Sequence, residues 1–254
     1  MKTITFFNNK GGVGKTTTSV NIAGVLSIMM GKRVLFIDLD GQANGTLLIG
    51  AEEEEISTTI FEVLLNGVPI TEAIGKSSVE GLDVVKGSKL IYRGSDRLAQ
   101  IGENEFMLRD SISDVYSEYD YVIIDCPSDI NSVTRNALTA CDVCIIPIMF
   151  DRLSLKGFSE VVGEVVDIVN NYNPTLANIF VLGNAFDQTS PDEVNILKQW
   201  SENAPYPLLP VIKKTKWAKK SQFLNCPVVA KYKNIPFSKN LFEVAETLIN
   251  NIEI

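Results

Sequence analysis

The chain has 254 residues, of which 45% are hydrophobic, and 31 acidic residues against 23 basic ones give a net charge of −8. This length and apolar content predict one large α/β domain over residues 1–254 rather than two small ones. The absence of histidine excludes histidine general-base and Ser-His chemistry. Because no run of about 18 apolar residues occurs and a strand is predicted almost at the N-terminus, we expect neither a membrane span nor a signal peptide.

The first predicted element is a strand over Ile4–Phe7, followed by the glycine-rich stretch 8–17 and by a helix with apolar spacing up to Leu26. A tight turn that opens a helix presents backbone N–H groups to anions, and glycine allows a phosphate chain to approach closely. In this pattern Lys15 contacts the β- and γ-phosphates and the Thr16 hydroxyl binds Mg²⁺. The sequence therefore predicts a nucleotide-binding P-loop, made of Asn9, Lys10, Gly11, Gly12, Val13, Gly14, Lys15, Thr16 and Thr17.

The first helix is predicted to end near Gly31, and a second strand is predicted over Arg33–Asp38. It runs into Asp38-Leu39-Asp40, which places two carboxylates at the C-terminal end of a strand beside the P-loop. Ligands bind at that end of an open α/β sheet. Aspartates that merely cap the strand end are the alternative.

The middle of the chain carries structural signals. A capping box at Thr59 opens a predicted helix to Leu65, a strand is predicted over Gly81–Val85, and residues 96–117 show helical spacing with an interruption near Gly102. The acidic run Glu52–Glu55 is predicted to be a solvated loop.

A third buried strand is predicted over Tyr119–Asp125, and it also ends in an aspartate. This is the Walker B arrangement, which predicts that Asp125 polarises the water shell of Mg²⁺. Of the four cysteines, Cys141 and Cys144 straddle a helix end and the predicted strand Val143–Ile148. Since no second cysteine pair completes a zinc site, we expect ordinary buried thiols in a reducing cytoplasm.

The last third combines a predicted helix over Phe158–Asn170, a strand over Ile179–Asn184 and a lysine-rich segment. Between Glu202 and Glu243 there is no acidic residue but eight lysines, so the remaining chain carries −16. Such a segment in an acidic protein favours a polyanion, and non-specific DNA binding needs a stripe of phosphate contacts. A solvated basic helix face is the alternative. Lys213, Lys216 and Lys220 fall at helical spacing, which predicts that they share one helix face. The predicted DNA contacts are Lys213, Lys214, Lys216, Lys219 and Lys220.

The segment Lys10–Thr17 resembles the deviant Walker A motif of the ParA/MinD family of P-loop ATPases, and the resemblance extends from residue 3 to about residue 250. It implies a doubly wound, mostly parallel sheet with helices on both faces, which binds Mg²⁺ and ATP. It also implies that Lys10 reaches the phosphates of the partner subunit in an ATP-dependent homodimer, with Gly12 and Asp151 at the interface. A helix-capping or solvated role for Asp151 stays open.

The same resemblance assigns roles to three further residues. By the match to the second family motif, Asp40 orients or activates the attacking water and Asp38 supports Mg²⁺ through water. Gly41 stands where the family has proline, so we expect a more mobile switch at residues 38–44. Asn184 matches the position that reads the adenine edge, with a capping asparagine as the alternative.

Within the family, the acidic C-terminus argues against a MinD-like membrane-associated regulator, and we expect no additional N-terminal DNA-reading domain before Lys2. No arginine finger is evident, so we expect slow ATP hydrolysis that a partner stimulates. The favoured interpretation is a ParA-like DNA-segregation ATPase with a ParB-like centromere-binding partner, cytoplasmic and nucleoid-associated, without membrane contact. A ParA-like protein that positions a protein cargo is the alternative.

Overall fold

The computed structural model describes residues 1–51 and 57–252, so the predicted loop at Glu52–Glu55 lies outside the described residues. The strands run Lys2–Phe6 (β1), Val34–Asp38 (β2), Ile74–Lys76 (β3), Leu82–Val85 (β4), Tyr121–Asp125 (β5), Val143–Ile148 (β6), Asn178–Gly183 (β7) and Leu208–Leu209 (β8). The helices run Lys15–Ile28 (α1), Asn44–Ile49 (α2), Ile60–Asn66 (α3), Leu90–Leu98 (α4), Met107–Ser113 (α5), Ser132–Ala140 (α6), Arg152–Asn171 (α7), Pro191–Asn203 (α8), Lys216–Ser221 (α9), Val228–Lys231 (α10) and Pro236–Ile252 (α11).

The eight strands form one sheet in the order β3-β4-β2-β5-β1-β6-β7-β8. Every pairing is parallel except the edge pair β3–β4. The order departs from the chain order on both sides of β1, as in a doubly wound sheet, and the predicted fold class is confirmed.

Both faces of the sheet are covered, because alternate strand residues point to opposite sides. On one face Val122 and Ile124 of β5 pack with apolar residues of α3 to α7. On the other face Ile123 packs with residues of α1, α2, α10 and α11. Strands buried on both sides read as continuous apolar runs, which is why β2, β5 and β6 could be predicted directly.

The helix predicted over residues 96–117 is only partly correct. The structure has two helices, α4 and α5, separated by residues 99–106, which include a 3₁₀ turn at Asn104–Phe106. Glu103 adopts a φ of 57°, and this left-handed conformation cannot continue a helix. The predicted interruption is therefore confirmed, whereas the predicted ends are wrong.

The capping box is confirmed, since the Thr59 backbone N–H donates to the Glu62 carboxylate at 2.8 Å. All four cysteines are buried and free, which confirms the expected buried thiols at Cys141 and Cys144. Among the described helices, none combines the length and the apolar character needed to cross a bilayer.

Candidate functional site

The glycine-rich stretch forms a tight loop between β1 and α1. Gly12 and Gly14 adopt φ angles of 80° and 90°, and Gly14 occupies the N-cap of α1. A Cβ on Gly14 would overlap the side-chain amide of Asn184, so both the conformation and the close approach require glycine here. The loop borders a cavity of about 520 Å³ that is lined by Gly12, Gly14, Lys15, Thr16, Thr17, Asp40, Asn44, Leu47, Leu48, Ser128 and Gln222.

Lys15 is a buried cation at the base of this cavity, with 7% of its surface exposed. Its Nζ donates to the Lys10 carbonyl oxygen at 3.2 Å and to the Ser128 hydroxyl at 2.8 Å. Burial lowers the pKa of Lys15. Within the described ranges Lys15 forms no ion pair and its hydrogen bonds go to neutral oxygens. The charges of Asp125 and Asp40 offset only part of the cost of its burial, so a further anion would stabilise it. The arrangement therefore suits a phosphate group.

Asp38 and Asp125 stand opposite each other at the ends of the neighbouring strands β2 and β5, and both are fully buried. Burial raises the pKa of Asp38. Burial, together with the charge of Asp38, raises the pKa of Asp125. Asp38 accepts hydrogen bonds from the backbone and hydroxyl of Thr46 at 2.7 and 2.8 Å, and Asp125 Oδ1 accepts one from Ser19 at 3.0 Å.

Asp125 Oδ2 is buried without a hydrogen-bond partner in the part of the chain that the structure describes. The side chain of Thr16 acts on the same carboxyl group and lowers its pKa, so the predicted Mg²⁺ residues Thr16, Asp38 and Asp125 lie together. Mg²⁺ keeps several waters and usually takes one or two carboxylates plus phosphate oxygens. An orphaned carboxylate oxygen beside a like-charged neighbour fits such an ion.

We expect Asp125→Asn to stabilise the nucleotide-free protein. A carboxyl group whose pKa is raised by folding stabilises the folded state only below its unfolded pKa of about 4, and that stability is lost as pH rises through the folded value. At pH 7 the folded carboxyl group, whose pKa is raised to about 8, still holds a proton that the unfolded chain releases. Asparagine removes this cost, and we expect the Tm to rise by about 4 °C, the effect of about 1–2 kcal/mol at this size. Calorimetry at pH 5 and pH 7 checks this, with a smaller gain at pH 5. A Tm below that of the wild type at both pH values would contradict it.

Asp40 lines the same cavity from the loop after β2. Its Oδ1 accepts a hydrogen bond from the Gln42 backbone at 2.9 Å and another from the Tyr92 hydroxyl at 2.8 Å. Tyr92 belongs to α4, far away in the sequence, and its contact with the switch was not predicted.

The Lys10 side chain contacts the N-terminal end of α7. Its Nζ lies 3.2 Å from Asp151 Oδ1 and 2.9 Å from the Ser154 hydroxyl of the same chain. Asp151 caps α7 by accepting from the Ser154 backbone at 2.8 Å, which is the helix-capping role that the sequence left open. The Lys10 and Asp151 side chains are 35% and 43% exposed, so their pair contributes about 0–1 kcal/mol. Lys10 is thus held only weakly within its own chain.

Asn184, at the end of β7, lies against the P-loop. Its Nδ2 donates to the Val13 carbonyl oxygen at 2.8 Å, and its Oδ1 accepts from the Ala185 backbone at 2.9 Å. It also lines a second cavity of about 280 Å³ beside Gly12 and Thr17. Asn184 therefore braces the loop, and its contact with adenine stays a prediction.

The lysine-rich segment differs from its prediction. α9 begins only at Lys216, with Thr215 as its N-cap, so Lys213 and Lys214 precede the helix and the single-face stripe is wrong. Lys213 instead pairs with Phe186 in a parallel bridge, and its backbone N–H donates to Asn240 at 3.0 Å. The backbone pairing of Lys213 with Phe186 therefore keeps Lys213 out of the helix that the lysine spacing predicted.

All five predicted lysines are nevertheless exposed. Lys214 pairs with Asp187 at 3.0 Å, and Lys220 Nζ lies 4.5 Å from the Trp217 ring centroid. No ion pair joins Lys213, Lys216 or Lys219 within residues 1–51 and 57–252. These three cations are available to an anionic partner.

Polar contacts of the site that escaped prediction include those of Ser19, Thr46, Tyr92 and Ser128. For Ser128 a signal existed, because it lies only three residues after Asp125, which ends the Walker B strand. Thr46 and Tyr92 reach the site through the fold, and no local pattern marks them.

A glycine loop between a parallel strand and a helix, a buried lysine and strand-end carboxylates together define a P-loop nucleotide-binding protein. Residues 1–178 match the family described as "AAA domain". The sporulation initiation inhibitor protein Soj of Bacillus subtilis is 35% identical over 175 residues, which are 69% of each chain. The chromosome partitioning protein ParA of Myxococcus xanthus is 36% identical over 180 residues, which cover 71% of this chain and 63% of that protein.

Among solved structures, cobyrinic acid a,c-diamide synthase from Mycobacterium smegmatis with bound ADP and magnesium superposes with a TM-score of 0.84 at 25% identity, covering 99% of this chain and 95% of that one. The sequence matches span about two thirds of the length of each relative. The chain belongs to the ParA/MinD-type P-loop ATPases.

Proposed function

We propose that this protein is a ParA-like ATPase that binds ATP with Mg²⁺, dimerises in the ATP state and hydrolyses ATP slowly. The observation that carries the proposal is Lys15, a buried cation without an ionic partner among the described residues, beside the glycine loop and two buried carboxylates. The phosphates of ATP supply the missing anion. Mg²⁺, held by Thr16 with Asp38 and Asp125 through its water shell, supplies charge neutralisation at the phosphates.

Hydrolysis in this proposal depends on Asp40. Its carboxylate lines the phosphate cavity and orients the attacking water, a role that contributes about 10²–10⁴-fold in related general-base chemistry. Lys15 holds the phosphates while Asn9, Gly11 and Val13 complete the loop around them. Asn184 keeps the loop in place and contacts the adenine edge.

Dimerisation in this proposal completes the site. Lys10 leaves its weak contact with Asp151 and reaches the phosphates of the second subunit, while Gly12 and Asp151 lie at the interface. A cation supplied in trans is worth about 10³–10⁵ in rate for phosphoryl transfer. ATP would thus act as substrate and as the link between subunits, and its hydrolysis would separate them.

We further propose that the ATP dimer binds non-specific DNA and acts in plasmid or chromosome segregation with a ParB-like partner that stimulates it. Support comes from the exposed lysines of a segment without acidic residues and from the name of the relative, chromosome partitioning protein ParA. Two such surfaces in one dimer bind with combined avidity and lose it on separation. The protein would then be cytoplasmic and associated with the nucleoid.

The DNA surface is tested with the double variant Lys216→Glu/Lys219→Glu. Each phosphate contact changes the slope of log K against log salt by about 0.9, so removing two contacts per subunit should flatten the slope by about 3–4 in a dimer. Affinity for a random 60-base-pair duplex, followed over a salt series with ATP, measures it.

The matched control is Lys32→Glu/Lys198→Glu, which makes the same charge change outside the segment and should leave most of the slope intact. Equal losses in the two variants would show that net charge, and not this surface, governs DNA binding. Unchanged binding by Lys216→Glu/Lys219→Glu would place the DNA surface elsewhere.

A further inference from the structure

The switch after β2 is held by a side chain from another part of the chain. The Tyr92 hydroxyl donates to Asp40 Oδ1 at 2.8 Å, and the Gln42 backbone donates to the same oxygen at 2.9 Å. Among the hydrogen bonds of residues 1–51 and 57–252, none ends on Asp40 Oδ2. One carboxylate oxygen is therefore fixed, and the other has no hydrogen bond within these residues, on a side chain that lines the cavity.

The Tyr92 ring also occupies the space beside Gly41. A Cβ on Gly41 would lie 2.5 Å from the Cδ2 and Cε2 atoms of the ring, which is well inside contact distance. Gly41 stands where the resemblance places proline, and glycine alone predicted a mobile switch. The structure shows that the missing side chain makes room for an aromatic ring, while the mobility of the switch stays a prediction. Gly41 and Tyr92 are thus sterically complementary, and the ring covers the switch backbone.

We propose that Tyr92 is a positioning residue, whose hydroxyl fixes Asp40 Oδ1 so that Oδ2 faces the water that attacks the terminal phosphate. The proposal rests on the proposed function, because it assigns Tyr92 a role only through Asp40. Partial burial, followed by the hydrogen bond to Asp40, raises the pKa of Tyr92, so the hydroxyl stays protonated and donates at neutral pH. The orientation of a carboxylate matters because small displacements from the reactive geometry lower the rate.

The test is Tyr92→Phe, which removes one oxygen atom and keeps the ring over Gly41. We expect single-turnover hydrolysis at saturating ATP with Mg²⁺ to fall about tenfold, the effect of one hydrogen bond to a charged acceptor. The dissociation constant for ATP should stay within twofold of the wild-type value, because Tyr92 is not among the residues that line the phosphate cavity. In nucleotide-free protein, the amides of residues 40–43 should exchange with deuterium faster.

Tyr116→Phe is the matched control, because Tyr116 is 61% exposed and lines a different cavity beside Met1 and Lys32. It should change neither hydrolysis nor exchange at the switch.

Gly41→Ala provides a second route to the same loss of hydrolysis, since its methyl group must displace the Tyr92 ring. Combining Gly41→Ala with Tyr92→Phe should cost less than the product of the two single losses, as expected for residues that act on one contact.

Measurements in an Asp40→Ala background separate this proposal from the proposed function. Asp40→Ala alone should bind ATP and hydrolyse it at least 100-fold more slowly. In that background Tyr92→Phe should have no further effect. A tenfold loss that persists there, or wild-type hydrolysis and exchange in Tyr92→Phe, would overturn the positioning role. Wild-type turnover by Asp40→Ala would instead overturn the catalytic assignment of Asp40, and the exchange rates would still report whether Tyr92 holds the switch.

Discussion

Lys15→Ala should bind ATP at least 100-fold more weakly than the wild type. The Lys15 ammonium group is buried at the base of the cavity, and its two hydrogen-bond partners are a carbonyl oxygen and a hydroxyl. Phosphate oxygens would replace these neutral partners with charge-assisted hydrogen bonds, each worth about 1.5–3 kcal/mol. Losing two such bonds corresponds to a factor of 100 or more in affinity. Equilibrium titration with a fluorescent ATP analogue measures the change.

The loss should occur without unfolding, because Lys15 is a desolvated charge whose removal relieves a burial cost. Thermal melting of nucleotide-free Lys15→Ala should therefore give a Tm no lower than that of the wild type. Lys32→Ala, beyond the opposite end of α1, is the control and should bind ATP normally. If Lys15→Ala keeps micromolar affinity, the assignment of this loop as the phosphate site fails.

Lys10→Ala should separate nucleotide binding from dimerisation. The Lys10 side chain does not line the phosphate cavity, and its Nζ contacts Asp151 and Ser154, so ATP affinity should change less than threefold. In the proposed dimer the same ammonium group contacts the phosphates of the second subunit. Its removal should abolish ATP-dependent self-association and lower hydrolysis by about 10³-fold, the lower end of the range for a cation supplied in trans.

Sedimentation velocity with ATP and with ADP measures the first effect, and single-turnover hydrolysis measures the second. Lys32→Ala again serves as the control that loses one lysine elsewhere and should behave like the wild type. Normal dimerisation and turnover by Lys10→Ala would show that this lysine acts only within its own chain.

The sequence predicted those parts of the site that local chemistry fixes. A phosphate loop needs glycine at positive φ next to a lysine and a hydroxyl, so the run from Gly11 to Thr16 has few other interpretations. Asp38 and Asp125 follow continuous apolar runs that only buried parallel strands explain, and their meeting at one sheet edge follows from the topology.

Contacts set by tertiary structure were not predictable. Tyr92 reaches Asp40 because α4 packs beside the switch, and no sequence pattern near Tyr92 predicts that contact. Lys213 was placed on a helix face by its spacing, but its backbone pairs with Phe186 and Asn240, and Thr215 caps the helix afterwards. Long-range pairing can outweigh helical periodicity over a few residues, because a short helix has little stability of its own.

The weak contact between Lys10 and Asp151 bears on how the protein could change state. Both side chains are more than a third exposed, so releasing Lys10 costs about 1 kcal/mol or less. A second subunit with bound nucleotide offers that lysine a site with higher negative charge. The pair therefore opposes dimerisation only slightly, and we expect nucleotide binding rather than this contact to control assembly.

An ATP-gated DNA-binding dimer can be tested by the binding of wild-type protein to a random 60-base-pair duplex, measured over a salt series with ATP, with ADP and without nucleotide. We expect binding with ATP alone, a steep loss of affinity with salt, and no ATP-dependent binding by Lys10→Ala. Equal binding in all three states would contradict nucleotide gating. No binding in any state would contradict the DNA partner and favour a protein cargo.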